Sequence, residues 1–187
     1  SSMGSDLRTA YQGERGAYSE QAALSLFGGD IDLHPCPTFD AVFSAVEDGT
    51  CDRGVVPVEN SLAGSIHRNY DLLLRHDLHV VGECNLRISH CLIAHPGVRL
   101  TEIRRVYSHP QALAQCERSL RELGEVEVIA ARDTAGSVRL IKEQALRHAA
   151  AIAGEGAAAL HRMAILRRDF EDEKPNYTRF VALAREP

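Results

Sequence analysis

Two hydrophobic patterns alternate along the chain. Short apolar runs bounded by charged or turn-forming residues read as strands over Arg8–Tyr11, Ile31–Pro35, Arg53–Pro57, Val80–His95, Arg104–Tyr107, Val126–Ala130, His148–Ile152 and Tyr177–Ala184. Between them, apolar residues three and four apart read as helices over Ser19–Leu26, Phe39–Glu47, Ser65–Arg75, Pro110–Glu122, Thr134–Glu143 and Gly154–Leu160, with a short turn near Met163. The alternation repeats two or three times in each half, which predicts βα units. The long extended stretch Val80–His95 then crosses from one half to the other, and the last strand returns to the first. The fold expected is α/β: two similar lobes of mixed, mostly parallel sheet with flanking helices and an inter-lobe cleft. Lobe one is expected over about 6–84 plus 180–187 and lobe two over about 85–179. Clefts of that kind are preferred sites for small ligands.

Composition narrows the class. With 44% apolar and 25% charged residues, the 187-residue chain is globular in make-up and long enough to bury a core. Its longest apolar runs are strand-sized, so no membrane partner is expected. A net charge of -5 with interspersed signs lacks the basic surface that nucleic acid requires. The five cysteines, Cys36, Cys51, Cys84, Cys91 and Cys116, show no Cys-x-x-Cys spacing and fit a reducing compartment. Residues 1–5 read as an expression remnant. The expected location is cytoplasmic, or the plastid stroma if a transit peptide has been removed.

Candidate chemistry sits where strands give way to helices, since helix starts present unpaired N–H groups and a positive dipole end. Gln12 to Ser19 follows a strand and opens a helix with two glycines, too few for a dinucleotide fingerprint, and Ser19 is placed to cap it. Glu59, Asn60 and Ser61 end an apolar strand on the side where α/β sheets bind ligands, with Ser65 placed to cap the next helix. Ser108 or His109 caps a helix with Pro110 in its first turn, and Gln111 and Gln115 share one helical face. Asp133, Thr134 and Ala135 open another helix in a pattern that capping explains. Finally, Asn176-Tyr177-Thr178-Arg179-Phe180 brings an amide, a hydroxyl and a guanidinium into a strand. Strand alternation puts 176, 178 and 180 on one side and 177 and 179 on the other. Arg179 is therefore either reached where the strand crosses between lobes or is an anchor.

In this order, Tyr11-Gln12-Gly13, Gly16 to Ser19, Pro57 to Ser61, Gly64-Ser65, Ser108 to Ala112, Asp133 to Ala135 and Thr178-Arg179-Phe180 make the chain resemble the catalytic domain of prephenate and arogenate dehydratases over nearly its whole length. Ser65 to His76 and Ala112 to Glu117 are most similar to the plant-type arogenate enzymes. The resemblance implies a type II periplasmic-binding-protein-like fold and a lyase that aromatises arogenate to phenylalanine by coupled decarboxylation and dehydration. Prephenate to phenylpyruvate is the alternative substrate, and no metal or organic cofactor is required. It also implies Thr178, Asn60 and Ser108 as catalytic residues. Glu59, Ser61, Ser65, Gln111, Gln115, Thr134, Ala135, Arg179 and Phe180 are implied in substrate binding. The family's phenylalanine-sensing ACT domain is not in these 187 residues, and assembly as a homodimer or homotetramer is expected by analogy. Two rival classes are a non-catalytic anion-binding module and an interaction domain.

Overall fold

In the computed structural model, which describes residues 7–187, three parallel strands open the chain. They are β1 (Arg8–Gln12), β2 (Asp32–Cys36) and β3 (Arg53–Asn60), separated by α1 (Tyr18–Phe27) and α2 (Phe39–Glu47). Thr38 caps α2 by accepting the Ala41 N–H at 3.1 Å, and the helix buries Val42, Phe43, Ala45 and Val46. Gly54 of β3 lets that helix lie close, since a Cβ there would come within 3.0 Å of Val42 and Val46. The hairpin strand β4 (Gly64–Ser65), helix α3 (His67–Arg75) and strand β5 (His79–Arg87) follow, and β11 (Tyr177–Ala184) returns from the end of the chain. The sheet order is β2-β1-β3-β11-β5, with β11 antiparallel to both neighbours.

A second sheet is built from β6 (Cys91–Ala94), β7 (Arg105–Ser108), β8 (Glu127–Ala130), β9 (Ala149–Ala153) and β10 (Ala164–Arg167). Its helices are α4 (Pro110–Gln115), α5 (Glu117–Glu122), α6 (Thr134–Glu143) and α7 (Glu155–His161). The order β10-β6-β9-β7-β8 repeats the plan of the first sheet, three parallel strands joined by helices and then two antiparallel ladders. Antiparallel ladders thus make up a larger share than the βα pattern predicts, because β6 and β11 enter without a crossover helix. β9 is buried throughout: Ala149, Ala151 and Ala153 face one core cluster, and Ala150 and Ile152 face another. That accounts for its unbroken apolar sequence.

The chain divides into two compact units. Among the described residues, the first comprises 7–14, Tyr18–Arg87 and Pro175–Pro187, and the second Arg15–Ala17 and Ile88–Lys174. The whole of β11 thus belongs to the first unit, where the strand pattern had placed its first residues in the other lobe. Pairing with both β3 and β5 from Tyr177 onward is the reason. No helix among the described residues is long and apolar enough to cross a membrane. The expected expression remnant, residues 1–5, lies outside the described residues.

Several boundaries differ from the sequence pattern. Val80–His95 is two strands, β5 and β6, because the backbone around Ser89 and His90 bonds to residues 169–171 instead of a strand neighbour. Ser89 Oγ donates to Asp169 at 2.6 Å, Phe170 N to His90 O at 2.8 Å and His90 N to Glu171 Oε1 at 2.9 Å. The helix expected over Pro110–Glu122 breaks at Cys116 (φ −117°, ψ 21°). Asp172 starts it again by accepting the N–H groups of Arg118 and Ser119 at 2.9 and 3.1 Å. Ser65 is not a helix cap. It pairs with Glu59 in β4, and α3 begins two residues later without a side-chain cap. The turn near Met163 leads into β10, an unexpected strand, after Arg162 closes α7 in the left-handed conformation.

Candidate functional site

Thr178 faces Asn60 across the β3–β11 ladder, 118 residues away in sequence. Their side chains belong to a densely hydrogen-bonded polar group. Asn60 Oδ1 accepts the N–H groups of Leu62 and Ala63 at 2.9 and 2.8 Å. Backbone amides can only donate, so this contact fixes which end of the carboxamide is oxygen. The Nδ2 end therefore points the other way, donating to Asn176 Oδ1 at 2.9 Å, to Thr178 Oγ1 at 2.9 Å and, at 3.2 Å, to Tyr177 O. Because the Thr178 oxygen accepts from Asn60, its own hydrogen is left to be donated. All three side chains are buried, Asn176 completely and Thr178 to all but 8%. Ser61 closes the corner: its N–H donates to Tyr177 O and its Oγ accepts from Tyr177 N, both at 2.9 Å.

The other residues named from the sequence disperse. Glu59 and Ser65 are exposed. Arg179 is exposed too and pairs at 3.0 Å with Glu83 of neighbouring β5, diagonally, since Asn85 is the residue opposite it in the ladder. Phe180 is 2% exposed in a cluster with Ala22, Ala23 and Val55, so its ring belongs to the core and is not offered to a ligand. The Ala135 methyl is likewise a core group. The alternation itself holds: Asn176, Thr178 and Phe180 are buried while Tyr177 and Arg179 are exposed.

In the second unit, Ser108 is fully buried and donates to Ile152 O at 2.6 Å, tying β7 to its neighbour β9. The cap of α4 is His109, whose Nδ1 accepts the Gln111 N–H at 3.0 Å. The neutral ring then carries its hydrogen on Nε2. Burial pushes the His109 pKa down, against the pull of Asp133. Gln111 is exposed, but Gln115 is turned to His90, its Oε1 2.8 Å from Nε2. Burial also lowers the pKa of His90, with Gln115 and Glu171 opposing. Asp133 caps α6 through the Gly136 N–H, leaving Thr134 half-exposed in the first turn. The glycine turn is used for packing: Gly16 has φ +91°, and a Cβ there would lie 2.8 Å from the Ala157 Cα.

Two residues absent from the sequence-derived list enter these arrangements, Asn176 beside Asn60 and His90 beside Gln115. Asn176 was visible as an amide on the Thr178 side of the strand. His90 carried no signal beyond being a histidine in an apolar run.

A family model described as prephenate dehydratase matches residues 9–187. Arogenate dehydratase/prephenate dehydratase 2, chloroplastic, of Arabidopsis thaliana is 54% identical over 186 residues, covering 100% of this chain and 48% of its own length. Arogenate dehydratase 2 of Petunia hybrida is 54% identical over 184 residues, covering 98% and 46%. The chain spans about half the length of the curated relatives it matches. Among solved structures, GqqA, described as a novel type of quorum quenching acylase, superposes with a TM-score of 0.86 at 38% identity, covering 96% of this chain and 64% of that one. Prephenate dehydratase from Arthrobacter aurescens in complex with L-Phe gives 0.89 at 28% identity, covering 97% and 61%. The methionine-binding protein MetQ gives 0.51 at 12% identity, covering 98% and 84%, a likeness of fold alone that agrees with the binding-protein-like architecture expected. Since the matched residues run through both sheets and include Asn60, Asn176 and Thr178, the chain belongs to the prephenate dehydratase family.

Proposed function

We propose that this protein is a lyase that converts arogenate to phenylalanine, with prephenate to phenylpyruvate as the alternative by the same chemistry. Loss of the ring carboxylate as CO₂ sends an electron pair through the ring and expels the ring hydroxyl. Aromatisation drives the step, and a proton is needed to complete the departing water. One observation carries the reading: Asn60 donates to Thr178 Oγ1, so the buried hydroxyl is set to donate its hydrogen to a leaving oxygen. Threonine is too weak an acid to stay deprotonated at neutral pH. Its part is to stabilise the departing oxygen by hydrogen bonding while solvent supplies the proton. Gln111 and Thr134, polar side chains in the first turns of their helices, are assigned to the substrate's anionic groups, with Ser108 and Gln115 supporting the second unit's framework. The 54% identity to enzymes named for arogenate favours that substrate, and the chloroplastic name of the Arabidopsis relative favours the plastid stroma.

The likeness to an acylase supplies a second reading, amide hydrolysis. A nucleophilic hydroxyl needs a base to take its proton, whereas Thr178 accepts a hydrogen bond from a neutral amide, which favours the lyase. Incubating the protein with arogenate, with prephenate and with a chromogenic N-acyl amide separates the readings. Phenylalanine or phenylpyruvate release is expected, its ratio giving the substrate preference. Amide cleavage without either product would overturn the lyase assignment, and inertness toward all three would leave a binding module.

A further inference from the structure

We infer that Asn176 is a positioning residue that acts on Thr178 through Asn60, an inference that rests on the lyase reading proposed above. Asn60 Nδ2 carries two hydrogens. Three acceptors converge on it: Asn176 Oδ1 and Thr178 Oγ1 at 2.9 Å each, and Tyr177 O at 3.2 Å. The oxygen end of the same amide is held by two backbone donors, so the group cannot flip to present oxygen to Thr178. What remains adjustable is rotation and tilt of the amide, which decides whether its second hydrogen points at Thr178 Oγ1 or slides to the Tyr177 carbonyl. Asn176 Oδ1 takes the first hydrogen and so directs the second to Thr178. Asn176 is itself 0% exposed and lies just before β11, two residues from Thr178, so both side chains reach the same Asn60 nitrogen. Removing that acceptor lets the Asn60 amide turn toward Tyr177 O. The Thr178 hydroxyl then loses its donor and can accept or donate in several directions, so a fixed donor becomes one orientation among several.

The experiment measures kcat and KM toward the preferred substrate for the wild type, Asn176→Ala, Asn176→Asp, Asn60→Ala and Asn60→Ala/Asn176→Ala. Asn176→Ala is expected to lower kcat by about tenfold to a hundredfold while KM moves by less than about threefold, the signature of an interaction made mainly in the transition state. Asn176→Asp keeps an acceptor at the same place and restores most of kcat. The double variant turns over no more slowly than Asn60→Ala alone, because Asn176 works through Asn60. Wild-type kcat in a folded Asn176→Ala protein, or multiplicative losses in the double variant, would overturn the inference. A readout independent of activity is hydrogen exchange of the two Asn60 side-chain amide protons, followed by NMR. Both are protected in the wild type and in Asn176→Asp, and exchange faster in Asn176→Ala. If Asn176→Ala does not fold, unprotected Asn60 protons in the folded wild type or Asn176→Asp protein overturn the inference, and protected ones support it. Protected protons in a wild type that turns over neither substrate would sink the lyase reading while leaving the clamp standing.

Discussion

The Asn60–Thr178 corner of the first unit and the Ser108–Gln115 corner of the second have the same kinds of side chain and use them in opposite ways. In the first, a carboxamide held by two backbone amides orients a hydroxyl and leaves that hydroxyl's hydrogen available. In the second, the hydroxyl of Ser108 gives its hydrogen to the Ile152 carbonyl, and Gln115 is turned to a buried histidine. A polar residue at a strand end is therefore not a reactive group by virtue of its type. What decides is whether its hydrogen bonds are spent on the fold or arranged so that one remains.

The sharpest way to break this contrast is Thr178→Ala, for which a fall in kcat of about 10²- to 10⁴-fold is expected, with Thr178→Ser retaining much of the activity. Steady-state turnover checks it, and near-wild-type rates in the alanine variant would remove the hydroxyl from the chemistry. Gly16→Ala probes the second unit's packing and should cost about 1–3 kcal/mol in urea unfolding. Gly28→Ala is the control, since it shares a positive φ (+85°) but has nothing within 4 Å. Ser108→Ala should cost about 1–3 kcal/mol by leaving the Ile152 carbonyl without its donor. A loss of kcat as large as that of Thr178→Ala, at unchanged urea midpoint, would erase the distinction between the two corners.

Acid should find the second unit first. His90 and His109, both in that unit, are held by burial below the ordinary 6.5. The unfolded chain then takes up protons before the folded one, so the stability they contribute is complete above 6.5 and is lost as pH falls through the lowered folded values. Hydrogen exchange at about pH 7.5 and about pH 5.5 should show β6 and α4 losing protection relative to β3 and β11. The smallest effect is expected of Glu83→Gln, which removes the exposed partner of Arg179 and should change stability by less than about 1 kcal/mol.

Much of the fold was legible because its strands are short apolar runs between helices with a clear buried face. α2 and α6, for instance, begin and end where their caps and buried positions predict. The departures have physical causes that one-dimensional patterns do not carry. Val80–His95 reads as one extended stretch, yet its middle bonds to residues 169–171, far away in sequence. Nothing in Pro110–Glu122 marks Cys116 as a break, because the group that caps α5 is Asp172. At the candidate site, alternation separates Thr178 from Arg179, while for Phe180 it cannot tell whether a ligand or α1 covers a buried aromatic on the same side. The Asn60–Thr178 link is a matter of register between strands 118 residues apart and could be named from the sequence only by resemblance.

The position of β11 also orders events in the life of the chain. It fills the slot between β3 and β5. As the protein emerges from a ribosome, β1, β2, β3 and β5 are made long before it, and until residues 177–184 arrive the edges of β3 and β5 stand open to any stray strand. The step that seals those edges is the same one that brings Thr178 to Asn60. A partly synthesised or clipped chain lacking this strand therefore keeps two open edges and lacks the Asn60–Thr178 contact, so if the proposed chemistry holds, gain of activity would report completion of the first sheet.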